Sequence, residues 1–452
     1  MRLGILTSHP IQYQAPWFRA LAEKVDLEVF FAHRQSAAEQ GRAGFGVAFD
    51  WDVDLLSGYR HRFLKNLSPN PGVSHYGGCD TPEIERFIAN DTSPNPLPER
   101  GGEGASGFHF DAFIVTGWYL KSHMQAVNAC RRAGVPVLVR GDSQLGTPRS
   151  AFKRLAMEIR QRWLLKRFDG FLSVGKRHTE YLRHYGVPAE RIFFAPHFVD
   201  NDWFAECATR SRAPLRLNRG EGSGEVSKLT SIAAIRKQWG AGESDLVALF
   251  VGKFIPKKRP ADLLRSIALV RRGTPCAPGE AFSLPGGAHG VTRPTAVFVG
   301  SGELERELRE QAARDNLRVH FAGFKNQTEL PAVYATADVL VLPSESETWG
   351  LVVNEAMACG LPAIVSDAVG CAPDLMEEGV TGFTYPVGDT EQLAERLVAF
   401  GRLKLAGHDF ESALAARMRA YSVTAAVNGT MKAVEWLTKR NAETLETWNT
   451  DN

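Results

Sequence analysis

Short apolar runs alternate along this chain with segments whose apolar residues repeat at helical spacing. In the first half the strand-like runs are 3–7, 26–31, 112–116, 135–139, 170–174 and 192–195. In the second half they are 246–252, 296–300, 319–322, 338–342, 363–366 and 382–385. Such alternation is the mark of a parallel α/β sheet. The two sets are similar in number and rhythm, which predicts two doubly wound domains, although no sequence repeat relates them. Three stretches interrupt the rhythm, 90–107, 210–227 and 274–294, all rich in Gly with Pro, Ser or Arg. They read as surface loops with little chemistry. Residues 391–402 and 410–445 are helical in pattern.

Size agrees with this division. At 452 residues the chain exceeds one typical core and suits two domains of about 200 residues each. With 44% hydrophobic residues it can bury two sizeable cores. Lys and Arg number 53 against 51 Asp and Glu, so the near-neutral chain is no polyanion binder and nucleic acid is not an expected partner. Six cysteines lie scattered without C-x-x-C pairs, which argues against a zinc site or a disulfide framework and fits a reducing compartment. Residues 1–8 read as a first strand and lack the apolar length of a signal peptide. No window reaches the roughly 18 apolar residues that a membrane span needs. A cytoplasmic protein is expected, at most peripheral at the inner face of a membrane.

The densest chemistry is Ser344-Glu345-Ser346-Glu347-Thr348-Trp349-Gly350-Leu351-Val352-Val353-Asn354-Glu355, running on to Cys359-Gly360-Leu361-Pro362. It separates two strand-like runs, so a short helix must start near Gly350 and stop where Gly and then Pro end it. The amides of Gly350, Leu351 and Val352 then form an anion-binding helix start. Glu355 falls one turn in, four residues after Leu351, and Glu347 sits in the loop ahead. Amides that take negative charge and carboxylates that accept from hydroxyl groups suit a ligand carrying phosphates and sugars. A second cluster, Gly252-Lys253-Phe254-Ile255-Pro256-Lys257-Lys258-Arg259, begins at a strand's end, where open α/β sheets bind ligands.

Glu347 and Glu355 have seven residues between them, and Gly360-Leu361-Pro362 follows. This stretch resembles the E-x7-E signature of retaining, nucleotide-sugar-dependent glycosyltransferases of the "group 1" family. The resemblance is strongest over 250–389. It implies a GT-B fold, with two Rossmann-like domains facing across a cleft. The expected division is an acceptor domain over 1–203, a donor domain over 204–422, and a last helix, 423–452, crossing back to the first domain. By the same resemblance Glu355 would bind the ribose hydroxyls. Glu347 would hold the donor sugar with help from the Trp349, Gly350 and Leu351 amides. Lys253 and Lys258, beside Gly252, would stabilise the diphosphate leaving group. Phe324, in Phe321-Ala322-Gly323-Phe324, would border the base, and Gly300-Ser301-Gly302 would form a turn at the site's edge. The resemblance requires neither a metal nor any other cofactor. It implies attack from the leaving-group side, with the departing phosphate taking the acceptor proton.

The first half departs from that family. No Gly lies between Thr7 and Trp17, and Arg140-Gly141-Asp142-Ser143 stands where relatives carry a His. Gln12, Tyr13, Arg140 and Asp142 are the acceptor-side candidates, with Gly117-Trp118-Tyr119 nearby. Residues 149–168 interleave seven cations with apolar residues against one Glu, a pattern that fits either a solvated basic face or an anionic membrane. Asp50-Trp51-Asp52 reads as a surface strand rather than a metal motif. The expected function is transfer of a sugar from a nucleotide-diphosphate sugar to a sugar, glycolipid or other small acceptor in cell-surface polysaccharide or glycolipid synthesis. A sugar-nucleotide epimerase and a catalytically silent nucleotide-sugar-binding subunit are the alternatives.

Overall fold

Thirteen strands form two all-parallel sheets in the computed structural model, which describes residues 1–42, 46–89, 110–146, 151–212, 232–272 and 294–450. The first sheet contains β1 (Arg2–Thr7), β2 (Asp26–Phe31), β3 (Arg60–Phe63), β4 (Ala112–Val115), β5 (Val137–Gly141), β6 (Gly170–Ser173) and β7 (Ile192–Phe194), in the order β3-β2-β1-β4-β5-β6-β7. The second contains β8 (Val247–Val251), β9 (Thr295–Val299), β10 (Val319–Gly323), β11 (Val339–Leu342), β12 (Ala363–Ser366) and β13 (Gly382–Tyr385), in the order β10-β9-β8-β11-β12-β13. Central strands such as Ala112–Val115 and Val339–Leu342 are buried at every position. That is why they read as unbroken apolar runs rather than as alternating ones.

The chain divides into two compact units. Unit 1 is 1–35, 54–197 and 423–452, and unit 2 is 36–53 and 198–422. The helix Val423–Thr450 therefore belongs to unit 1. There Ala426, Val427, Thr430, Ala433 and Val434 are buried, and Trp436 packs its ring 5.6 Å from that of Phe193 on β7. This helix approaches closely enough that a Cβ on Gly429 would stand 1.9 Å from the Phe194 carbonyl oxygen.

Residues 36–53, counted with the first domain in the sequence, are part of unit 2. Asp50-Trp51-Asp52 is not a strand, which corrects the expectation. Its groups are taken up in holding the segment down. The Asn326 amide donates to the Asp50 carbonyl at 2.8 Å, and the Thr328 backbone N–H donates to the Asp52 carboxylate at 3.2 Å. β3 was missed because Arg60-His61-Arg62 is an exposed, polar edge. The three loop stretches fall wholly or mainly outside the described residues.

Candidate functional site

In unit 2 the strand order reverses between β8 and β11, and the chemistry gathers at the carboxyl ends of those two strands. Lys253 follows Gly252 directly after β8. Lys258 closes the single 3-10 turn Pro256–Lys258. From the loop after β11, Glu347 forms an ion pair with the Lys258 ammonium, each side chain about one-fifth exposed. Burial, and then the charge of Lys258, hold the Lys253 ammonium below its ordinary pKa, while Glu347 offsets part of that effect. Two cations thus share one carboxylate, which leaves the cluster with a surplus of positive charge. The loop carrying Glu347 is fixed by its backbone. Gly370 N–H donates to the Glu347 carbonyl at 3.0 Å, and Cys371 N–H to that of Trp349 at 2.9 Å.

The helix Leu351–Ala358 follows, with Gly350 as a left-handed N-cap at φ 102° and no side-chain cap on its first amides. Leu351 and Val352 in that first turn are partly exposed, whereas Trp349 is buried and donates from Nε1 to Asn354 Oδ1 at 2.8 Å. Glu355 is only 2% exposed, and the Tyr334 hydroxyl donates to its Oε2 at 2.5 Å. A buried carboxylate held this way has little rotamer freedom left. Sequence reasoning missed both Tyr334 and Asn354, because Tyr334 belongs to no motif and Asn354 occupies one of the unspecified positions of the E-x7-E stretch.

The turns after β8, β9 and β10 are tied together. Gly252 N–H donates to Val299 O at 2.9 Å, and Gly300 N–H donates to Gly323 O at 2.8 Å. Gly300 sits at φ 131°, and a Cβ there would lie 2.0 Å from the Gly252 carbonyl oxygen. Gly300→Ala is therefore expected to cost about 3 kcal/mol or more, through strain and displacement of this turn. Urea unfolding of wild type and variant would measure it; a cost under about 1 kcal/mol would show the turn to be pliable. Phe324 packs against Phe49 at a ring separation of 4.6 Å, so its partner comes from the 36–53 segment.

Unit 1 reverses its strand order between β1 and β4, and a pocket of about 340 Å³ opens at the same topological point. Ser8 and His9 line it from the end of β1, Thr116 to Leu120 from the end of β4, and Gly141, Asp142 and Ser143 from the end of β5. Of the sequence candidates, Asp142 lines this pocket. Gln12 and Tyr13 lie in the turn before the helix Ala15–Ala22 and are not among the lining residues. Arg140 is 7% exposed and packs inward. Its guanidinium donates to the Pro196 carbonyl at 2.9 Å and lies 5.4 Å from the Trp17 ring. His123, which lines the pocket, and His178, beside Gly141, were missed as well, since no motif marks either. Both are buried, and neither has a hydrogen-bond partner on either ring nitrogen among the described residues. Burial pushes His123 down to about 4. Burial and then the charge of Arg140 push His178 down to about 3.

Two doubly wound units of this kind make a GT-B fold. The solved structure of HepE from Anabaena in complex with UDP shows the same architecture, with a TM-score of 0.61 at 17% identity over 99% of this chain and 100% of that one. Residues 231–404, which hold the whole Lys253–Lys258–Glu347–Glu355 cluster, match the model of the family described as Glycosyl transferases group 1. Sulfoquinovosyl transferase SQD2 of Arabidopsis thaliana is 41% identical over 104 residues, 22% of this chain and 20% of that protein. A D-inositol 3-phosphate glycosyltransferase of Saccharomonospora viridis is 34% identical over 175 residues, 37% of each protein. The matched stretch thus spans from one fifth to little more than one third of these curated relatives.

Proposed function

We propose that this protein is a retaining glycosyltransferase that moves a sugar from a nucleotide-diphosphate sugar to a small acceptor. One observation carries the reading: Lys253, Lys258 and Glu347 converge at the switch point of unit 2, directly ahead of the helix start at Gly350. The surplus positive charge and the Leu351 and Val352 amides suit a diphosphate. As the sugar–phosphate bond breaks, charge grows on the departing phosphate, and cations already in place stabilise it without reorganising. Glu347, oriented by Lys258, accepts from the donor sugar's hydroxyls. Glu355, fixed by Tyr334, accepts from the ribose. The lysines and the helix start perform the charge neutralisation, so the proposal needs no metal or other cofactor.

The acceptor side is assigned to the unit 1 pocket, where Ser8, Trp118 and Asp142 supply hydroxyl, aromatic and carboxylate groups of the sort that bind sugar rings. The acceptor is a sugar, a glycolipid or another small molecule of polysaccharide or glycolipid synthesis. A cytoplasmic setting, peripheral to a membrane, completes the proposal. The similarity to a sulfoquinovosyl transferase and a D-inositol 3-phosphate glycosyltransferase supports this class.

A thermal-shift screen of UDP, GDP, ADP and their sugars tests the donor assignment. Ligand at about 100 times its dissociation constant adds roughly 2.7 kcal/mol to stability. Glu355→Ala, compared with its own ligand-free melting temperature, is expected to lose that gain. An undiminished shift in the variant would remove Glu355 from the ribose. Binding without any transfer would favour a silent subunit, and sugar interconversion without an acceptor would favour an epimerase.

A further inference from the structure

The helix Ala151–Leu165 in unit 1 buries one side against the fold and leaves an apolar stripe on the other. On its inner side Gln161 and Leu165 are buried, at 4% and 3% exposure. On its outer side Leu155, Ile159 and Trp163 are 60%, 65% and 62% exposed. Their i, i+4, i+8 spacing sets them in a stripe that drifts only about 40° per step around the helix. Three large apolar side chains in a row at such exposure are not the scattered surface residues of an ordinary monomer.

Cations flank the stripe. Arg160, Arg162 and Lys166 are exposed beside it, and the Arg167 guanidinium lies 5.0 Å from the Trp163 ring. The one acid of the helix, Glu158, is already occupied. Arg162 Nε lies 3.3 Å from one of its oxygens and His184 Nε2 2.5 Å from the other. The face therefore presents apolar side chains bordered by positive charge with its negative charge neutralised. No helix among the described residues is long and apolar enough to cross a membrane, so the stripe fits a surface rather than a span.

We infer that Leu155, Ile159 and Trp163 insert into the interfacial region of an anionic lipid bilayer while Arg160, Arg162 and Lys166 contact its headgroups. A helix with an apolar face, flanking cations and an aromatic residue lies in the plane of the interface, its apolar side chains among the upper acyl carbons. Bare solvation, the alternative reading of this basic helix, accounts for the arginines but leaves the outward Leu, Ile and Trp unexplained.

Flotation of the full chain with vesicles tests this without any assay of sugar transfer, so its failure and that of the glycosyltransferase reading are separable. Wild type is expected to float with equimolar phosphatidylcholine and phosphatidylglycerol, and far less with phosphatidylcholine alone. Raised salt should weaken the binding as headgroup contacts are screened. The triple variant Leu155→Ser, Ile159→Ser, Trp163→Ser changes only exposed side chains and should keep the wild-type melting profile. Its partitioning is expected to drop at least about tenfold. Failure of wild type to float with the anionic vesicles overturns the inference. Equal flotation of the variant overturns it too, as does a wild-type dimer that the variant converts to monomer, which would give the stripe to a second copy of the chain.

Discussion

Lys258→Ala is expected to lower the rate of sugar transfer by roughly 10²–10³-fold, the usual consequence of deleting one preorganised group that stabilises developing negative charge. The Lys258 side chain is about four-fifths buried and paired with Glu347, and the loops on both sides are fixed by backbone hydrogen bonds. Its position is set before any ligand arrives. The loss should therefore fall mainly on kcat, with a smaller effect on KM. Lys258→Arg keeps the charge and alters its geometry, so it should recover part of the rate. Lys257→Ala, an exposed neighbour, should change little. A Lys258→Ala enzyme with wild-type kcat would sink the leaving-group role. Lys253 adds a pH signature. Since burial and Lys258 hold its pKa below the ordinary lysine value, it loses its proton at a lower pH than an ordinary lysine, and diphosphate binding should weaken on that alkaline side.

Acidification from pH 6.5 toward 4 is expected to destabilise the fold steeply through His123 and His178. Their folded-state values lie at about 4 and about 3, against an unfolded value near 6.5. In that window the unfolded chain binds protons that the folded chain refuses, so stability falls with falling pH. The contribution is on the order of 3 kcal/mol for His123 and about 5 kcal/mol for His178, fully present above pH 6.5 and lost progressively as pH approaches each folded value. His178→Phe should suit a site where Trp118 and Tyr181 rings lie 6.5 Å and 6.3 Å away. Urea melts across this range should show a shallower pH dependence for the variant. An identical slope would mean that His178 takes up its proton without unfolding.

The strand pattern was legible because parallel strands buried on both faces must be continuously apolar, as Val247–Val251 and Val339–Leu342 are. Edge strand β3 obeys no such demand, and its Arg-His-Arg carried no signal. The helix Leu351–Ala358 was readable to within a residue because glycine brackets it at Gly350 and Gly360, both at positive φ. The Lys253–Lys258–Glu347 cluster was legible for a related reason: its residues are close in sequence to strand ends. Tyr334 and His178 were not, since their significance comes from long-range packing. Asp52 failed differently. A carboxylate in an apolar-aromatic stretch looks like a surface strand until its partner, Thr328, is known to lie 276 residues away.

Unit 1 is assembled from three pieces of chain, and the backbone passes between the units at 35/36, 53/54, 197/198 and 422/423. On a ribosome, the helix Val423–Thr450 emerges only after every residue of unit 2 has been made. Unit 2 can then fold while unit 1 still lacks the helix that covers β6 and β7. For that interval the Phe193–Phe194 edge of the sheet lies bare, and Gly429 is what later lets the helix seat against it. Newly made protein should thus pass through a stage in which unit 2 is native and unit 1 is prone to stick to other chains.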